Sequence, residues 1–270
     1  MIVTMRELLT RCLLCLVTLV ALTSPARAQG FAALVSPPRF ELVAKPGQRL
    51  REVIEITNAD VRSTTFRVKT ADWSFDKNAG VIFEEALQPG SCRPWVAVER
   101  REITVSAGGK YRFRFEVAPP ANAPAGECRF AITIDGDGTA VQAQGGPPIP
   151  VSGRIGVIVY VMLGNAEPQI SVTETVVASV NGEMLPVLKV KNSGNAHGRL
   201  AGFLSGTDAA GKKLEFTPSS LPILPGETRA IALTVNQEDD KSVKIAYPII
   251  VEGYLEWGDK RTRFEQRFSP

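Results

Sequence analysis

The sequence predicts an all-β chain made of two β-sandwich domains, and three observations support this prediction. Helical periodicity of apolar residues is almost absent along the chain. Short segments in which apolar and polar residues alternate begin roughly 8–15 residues apart. Proline, glycine, asparagine and aspartate separate these segments, as they do where turns join strands.

A leader precedes the first domain. Arg6 and Arg11 lead into an uncharged apolar run, Cys12–Thr23, which is followed by Ala26–Ala28. A basic start, a short apolar run and an A-x-A ending are typical of a secretory signal peptide, here residues 1–28. The run is shorter than the roughly 20 apolar residues of a membrane span. We therefore expect an exported protein without stable membrane insertion.

The composition of the remaining chain excludes several function classes. Without residues 1–28 the 270-residue chain keeps 242 residues, and its formal charge falls from +3 to +1 because three arginines and one glutamate are lost. No block of Lys and Arg indicates nucleic-acid binding. Cys92 and Cys128 remain, and in an oxidising compartment the simplest expectation is one disulfide, worth about 3–4 kcal/mol by the chain-entropy estimate. A metal or catalytic thiol pair is disfavoured, since the chain has one histidine and no C-x-x-C.

The first domain, residues 29–164, contains five clear strand patterns. Alternation or short apolar runs predict strands at Leu50–Thr57, Thr65–Trp73, Tyr111–Val117, Phe130–Ile134 and Val157–Leu163. The last of these is continuously apolar, which indicates either burial on both faces or cover by a partner. Asp135–Pro150, just before it, is the longest stretch without a strand pattern.

The second domain, residues 165–270, follows a short linker at Gly164–Pro168. Seven short strands in about 100 residues fit a sandwich of immunoglobulin size. Pro248 favours an edge position or a bulge for its strand. The predicted strands are Gln169–Val177, Leu185–Lys191, Arg199–Leu204, Leu214–Phe216, Arg229–Val235, Lys244–Glu252 and Arg261–Phe268.

No pattern of catalytic residues stands out, so we expect no enzyme, cofactor or metal site. His197 is the single histidine and lies in a turn between two predicted strands. A general base needs a nucleophile and an orienting group, and no G-x-S-x-G motif, zinc-spaced cluster or phosphate-binding glycine loop accompanies it. We therefore interpret His197 as a turn or interface residue.

Eleven segments, taken in order, resemble a known family. In the first domain they are Val35–Phe40, Pro46–Gln48, Thr57–Asn58, Phe66–Val68, Asp72–Trp73, Ile103–Gly109, Tyr111–Val117, Ala125–Phe130 and Gly153–Tyr160; in the second they are Asn192–Leu200 and Leu224–Glu227. Their order resembles the PapD-like periplasmic chaperones of the chaperone–usher pathway. The resemblance covers nearly all of the chain after the leader and implies periplasmic localisation and two immunoglobulin-like domains around a cleft.

The resemblance also implies a function and its residues. Such chaperones bind pilus or fimbrial subunits that lack one strand and lend them a β-strand before an outer-membrane usher assembles them, which is β-augmentation. Two basic cleft residues of the family hold the subunit's terminal carboxylate. Arg39 matches the first, but Gly156 stands at the second, so Arg154, two residues earlier on the same face, is the expected substitute. The donor-strand edge is expected at Ile149, Val151, Ile155 and Val157.

Two other hypotheses remain open. The chain would serve as a secreted structural or surface-adhesion module if Arg39 and the apolar edge were buried or covered. A ligand-binding or hydrolytic protein centred on His197 would instead need a polar pocket there. For the chaperone hypothesis, an exposed strand also predicts a homodimer in which free molecules cap each other's edges.

Overall fold

The computed structural model describes residues 31–76, 79–136, 140–142, 148–150, 152–236 and 244–270, with the backbone alone for 140–142 and 148–150. The leader and Val151 lie outside these residues. The described chain is all-β, as predicted, apart from a 3-10 helix at Arg93–Trp95. No helix among the described residues is long and apolar enough to cross a membrane.

The first sandwich packs two sheets around one core. One sheet has the strand order β1-β3-β8-β6; the other has the order β2-β12-β9-β4-β5, with β7 also paired to β4. A separate hairpin joins β10 to β11. The strands are β1 (Ala33–Ser36), β2 (Arg39–Ala44), β3 (Leu50–Asn58), β4 (Thr64–Phe75), β5 (Val81–Glu84), β6 (Val96–Val98), β7 (Glu102–Val105), β8 (Lys110–Val117), β9 (Gly126–Gly136), β10 (Ala140–Gln142), β11 (Pro148–Pro150) and β12 (Gly153–Leu163).

The alternation in the sequence decides which side chains form this core. In β8, Phe113, Phe115 and Val117 are buried between the sheets, and the residues between them face outward. In β12 the odd-numbered Val157–Leu163 side chains enter the same core, whereas Tyr160 is buried on the opposite face against Trp73. The continuous apolar run is therefore buried on both faces, the first of the two alternatives.

The second sandwich is formed by β13 (Ile170–Val180), β14 (Glu183–Asn192), β15 (Leu204–Thr207), β16 (Lys213–Pro218), β17 (Thr228–Val235), β18 (Ile249–Trp257) and β19 (Lys260–Phe268). The hydrogen-bonded order is β13-β14-β17-β16-β15-β18-β19. The first part of β17 pairs with β14, and its end, Leu233–Val235, pairs with β16. Strand β17 therefore passes from one layer to the other, and the two layers enclose a second core.

Three sequence predictions need correction. Arg199–Leu204 is not a strand before Leu204; only isolated bridges form there, at Gly198 and Ala201. Pro248 lies just before β18 and does not interrupt it. Strand β18 lies between β15 and β19, so it is not an edge strand, and Pro248 does not form a bulge in it. Asp135–Pro150, predicted to lack strands, contains the end of β9 and the paired strands β10 and β11. Its apolar and polar residues do not alternate, so the sequence pattern did not reveal this backbone pairing.

Candidate functional site

One edge of β12 is open. Strand β9 pairs with β12 along its whole length, but β2 pairs only with Ile158–Leu163 on the other side. Within the described part of the chain, Gly153–Val157 therefore has no partner on the side away from β9. The backbone N–H of Ile158 donates to the Pro38 carbonyl on the β2 side. Backbone groups of every second residue on a strand point to the same side, so the N–H and C=O groups of Gly156 and Arg154 face the open side.

Three of the predicted donor-edge residues lie in β11 and β12. Val157 is buried in the core of the first sandwich, and Ile155 is half-buried at the rim. Ile149 lies in β11, where the structure describes the backbone alone, and Val151 is not described. On the other sheet, β1 is also an edge strand, and its Leu34 is 64% exposed.

The aromatic ring of Phe31 packs against the first residue of β12, where the unpaired edge begins. Gly136 and Gly153 are directly paired, and a Cβ on either would overlap the ring of Phe31. That ring packs edge-on against Phe66 of the core, with centroids 6.1 Å apart. Phe31 therefore covers the core at the start of the open edge.

Arg154 is engaged by acidic neighbours on the outer face of the sheet. Its Nε and Nη2 donate to the two carboxylate oxygens of Asp135, at 2.6 and 3.0 Å, and Nη2 also donates to Glu85 at 3.4 Å. The hydrogen bonds to Asp135 raise the pKa of the Arg154 guanidinium. The structure thus holds Arg154 in a bidentate ion pair within the first domain.

At Gly156, where the resemblance expects the second basic residue, a neighbouring side chain covers the strand. A Cβ there would overlap the ring of Phe83, which β5 places over this part of β12. An aromatic ring therefore occupies the space over this position.

Arg39 lies at the downstream end of the open edge, where the cleft between the domains begins. In the parallel register of β2 and β12, Arg39 is opposite Ile158 and Glu41 is opposite Tyr160. Arg39 and Glu41 therefore share the outer face of the sheet, and Arg39 Nε lies 2.8 Å from Glu41 Oε1. The Arg39 side chain is 47% exposed.

The second domain contributes His197 to the other side of this cleft. Its backbone N–H donates to Glu127 at 3.0 Å, and its ring Nδ1 contacts the same carboxylate. The ring stacks on Tyr160, with centroids 3.8 Å apart. The Glu127 N–H in turn donates to Asn195 at 2.8 Å. His197 is thus a buried residue of the interface between the domains, the role that the sequence predicts.

Arg199 reaches the same cleft from just beyond His197. It donates to the Ser220 carbonyl and, at 3.5 Å, to the Tyr160 hydroxyl, but its buried Nε has no hydrogen-bond partner among the described residues. Burial lowers the pKa of Arg199 and raises the pKa of Tyr160 to about 12. Both groups are held largely away from water.

The two cysteines are neighbours in the first domain. Cys92 immediately precedes the 3-10 helix, and Cys128 lies in β9; both are free thiols in the structure. The side chains of Cys92 and Cys128 are close enough to interact. Burial, and then the neighbouring Cys128, raises the pKa of the Cys92 thiol. The disulfide between them stays a prediction.

No family model matches the chain, and no curated protein does. Within the described residues, no group of three or more His, Cys, Asp and Glu side chains could hold a metal ion.

Among solved structures the chain is similar to fimbrial chaperones. The class 5 fimbriae chaperone CfaA is 12% identical over 88% of this chain and 99% of that chain, with a TM-score of 0.45. The CupB2 chaperone of Pseudomonas aeruginosa is 12% identical over 87% of this chain and 100% of that chain, with a TM-score of 0.46. A chain of the CsuC–CsuE chaperone–tip adhesion subunit complex of Acinetobacter baumannii is 13% identical over 88% and 100%, with a TM-score of 0.45.

The sequence predicts a role for Arg39, which stays a prediction, and gives no prediction for its neighbours Glu41 and Arg199 or for Phe83. The i, i+2 spacing of Arg39 and Glu41 on a predicted strand was a usable signal that both share one face. No sequence signal connects Arg199 or Phe83 with β12, because the fold alone brings these distant segments together.

Proposed function

We propose that this protein is a periplasmic chaperone that caps pilus or fimbrial subunits by donating the open edge of β12 before an usher assembles them. The observation that carries the proposal is the unpaired side of Gly153–Val157. Backbone groups of Arg154 and Gly156 on this side can hydrogen-bond to a strand of another protein. Such an edge invites aggregation unless it has a partner, so its exposure calls for one.

The position of β2 supports one orientation for the bound strand. A client strand on the open edge would lie beside Gly153–Val157, in line with β2, which lies beside Ile158–Leu163. A client strand that runs parallel to β12 would end beside Arg39, the first residue of β2. Its terminal carboxylate could then pair with the exposed guanidinium of Arg39.

The apolar side chains beside the edge support the same proposal. Ile155 is only half-buried at the rim, and Leu34 on the edge strand of the facing sheet is exposed. A client sandwich that lacks one strand could cover both while its own groove is filled. Arg154 would first have to release Asp135 and Glu85 to hold a carboxylate, so Arg39 is the anchor with the freer guanidinium.

A pair of variants at one position tests strand donation. Arg154→Pro and Arg154→Ala both remove the guanidinium, but only proline also removes the backbone N–H on the open side. Proline is tolerated on an edge strand where its missing N–H faces outward. Each variant and the wild type would be purified from periplasm of cells that express the neighbouring exported proteins, and the co-eluting proteins identified by mass spectrometry.

We expect wild type and Arg154→Ala to recover a small fibre subunit, and Arg154→Pro to recover at least about tenfold less. Arg39→Ala should also reduce recovery, because the client carboxylate loses its charge-assisted hydrogen bonds. If the wild type recovers no subunit, or if the alanine and proline variants recover equal amounts, the proposal is wrong. The protein would then be better described as a structural immunoglobulin-like module.

A further inference from the structure

Basic side chains from both domains converge on the carboxylate of Glu41. Three nitrogens converge on Glu41 Oε1: Arg39 Nε at 2.8 Å, His197 Nε2 at 3.6 Å and Arg199 Nε at 3.9 Å. The first lies on β2, and the other two lie in the second domain. A single carboxylate oxygen therefore sits at the meeting point of two guanidinium groups and an imidazole.

Arg199 has hydrogen-bonding capacity that the protein does not use. Its buried Nε has no hydrogen-bond partner among the described residues, since Glu41 at 3.9 Å is too distant for one. A buried donor without an acceptor is energetically costly. A carboxylate that moved a little deeper between Arg39 and Arg199 would accept from both guanidinium groups.

Gly156, where the resemblance expects the second basic residue, supplies no cation. The ring of Phe83 fills the space over Gly156, and Arg154 is held by Asp135 and Glu85. Arg199 lies on the other wall of the cleft, with its Nη2 against the Tyr160 hydroxyl. Since Tyr160 is opposite Glu41 in the sheet, Arg199 faces the segment of β2 that begins at Arg39.

We infer that Arg39 and Arg199 together form a binding site for the carboxylate of an extended polypeptide, and that Glu41 occupies this site until such a ligand displaces it. The inference rests on the proposed function for the identity of the ligand. It assigns the second basic position to the second domain, so that a bound carboxylate would bridge both domains. It also makes Glu41 an internal competitor that weakens binding of carboxylates in general.

The test uses sodium acetate as the probe and compares it with sodium chloride at equal ionic strength. The side-chain Nε–H signals of Arg39 and Arg199 would be followed by NMR in the protein without residues 1–28, both in wild type and in Glu41→Gln. Glu215→Gln makes the same chemical change on an exposed position of β16 and controls for net charge. Arg199→Gln removes the second guanidinium. Arg199→Lys keeps the positive charge, so a comparison of the two variants shows whether a loss of acetate binding comes from the lost charge or from a damaged fold.

In Glu41→Gln we expect acetate to shift both signals with one common dissociation constant, about tenfold lower than in wild type or Glu215→Gln. Arg199→Gln in the Glu41→Gln background should weaken acetate binding about tenfold, and Arg199→Lys should restore part of it. Arg263→Gln, on an exposed position of β19, should change the constant less than about twofold, because that side chain lies outside the site.

The inference is overturned if the Arg199 signal does not respond to acetate, if it follows a different constant from Arg39, or if Glu41→Gln binds no better than Glu215→Gln. These outcomes are separate from those of the proposed function, which the Arg154→Pro and Arg154→Ala pair tests through the backbone. Subunit recovery with an unresponsive Arg199 refutes the inference alone. Acetate binding at both arginines without any subunit recovery refutes the proposed function alone.

Discussion

At the scale of single residues, each sandwich has a buried asparagine that organises a loop. Asn58 ends β3, and its Nδ2 lies 2.7–3.1 Å from the carbonyl oxygens of Arg62, Val105 and Ser106. Asn192 ends β14, and its Nδ2 donates to Ala196 and Ile223 at 2.8 Å. Fully paired buried amides of this kind give a loop one defined conformation. In the second domain, the loop so held is the one that carries His197 to the cleft.

Asp208 predicts a pH dependence for the second domain. Its carboxylate accepts backbone N–H groups from Lys212, Ala210 and Ala246 at 2.9–3.1 Å, and these bonds lower its pKa. A carboxyl group with a lower pKa in the folded state stabilises that state above its unfolded pKa of about 3.9. This contribution is lost as the pH falls through the lower, folded pKa.

We therefore expect acid to weaken the second domain less in Asp208→Asn than in wild type, with the variant less stable at neutral pH. The measurement is urea unfolding at a series of pH values from about 2 to 7. Asp259→Asn, in the turn between β18 and β19, serves as a control. Parallel pH profiles for wild type and Asp208→Asn would contradict the prediction.

At the scale of elements, the cysteine pair ties the loop before β6 to β9. The contact between Cys92 and Cys128 would let an oxidising compartment join them by a disulfide. Because burial raises the pKa of Cys92, little reactive thiolate forms in the folded state. We expect the bond to form during folding and only slowly after folding in the reduced state.

Thiol titration of the unfolded protein checks this prediction. Periplasmic protein should show no free thiol without reductant, and reduction should lower its stability by about 3–4 kcal/mol in urea unfolding. Cys92→Ala with Cys128→Ala is the control, since its stability should not respond to reductant. Two free thiols in freshly prepared periplasmic protein would show that the pair does not bond.

At the scale of the whole molecule, Glu127 connects the two domains. Its buried carboxylate accepts the His197 N–H and contacts the ring, and its own N–H donates to Asn195. We expect Glu127→Ala to cost about 3 kcal/mol and to split thermal unfolding into two transitions, because each domain then unfolds alone. Calorimetry measures both effects.

Glu174→Ala is the matched control. It removes an exposed ion pair with Lys189, and such pairs contribute about 1 kcal/mol or less. An unsplit transition in Glu127→Ala, with stability equal to that of the control, would show that this contact does not couple the domains.

The open edge predicts self-association of the free protein. If molecules cap one another through Gly153–Val157, sedimentation should show a dimer fraction that rises with concentration. Arg154→Pro should reduce this fraction relative to Arg154→Ala, since an outward N–H is missing. A monomer at every concentration would count against self-capping.

Local patterns in the sequence were enough to predict the fold class and most of the core. Alternation in Tyr111–Val117 and the apolar run at Val157–Leu163 placed β8 and the downstream half of β12, because side chains on a strand point to opposite faces in turn. The prediction that Pro248 lies within a strand was wrong, because the sequence does not distinguish a proline just before a strand from one inside it. The sequence by itself thus determined these strands, and the role of Arg39 stays a prediction.

Only the tertiary structure decided what surrounds Arg39. The pairing of β2 with half of β12 left Gly153–Val157 open, and the packing of β5 placed Phe83 over Gly156. The docking of the second domain brought Arg199 toward Glu41, 158 positions earlier in the chain. Such contacts depend on how whole sheets and domains pack, and a periodic pattern within one strand carries no information about them.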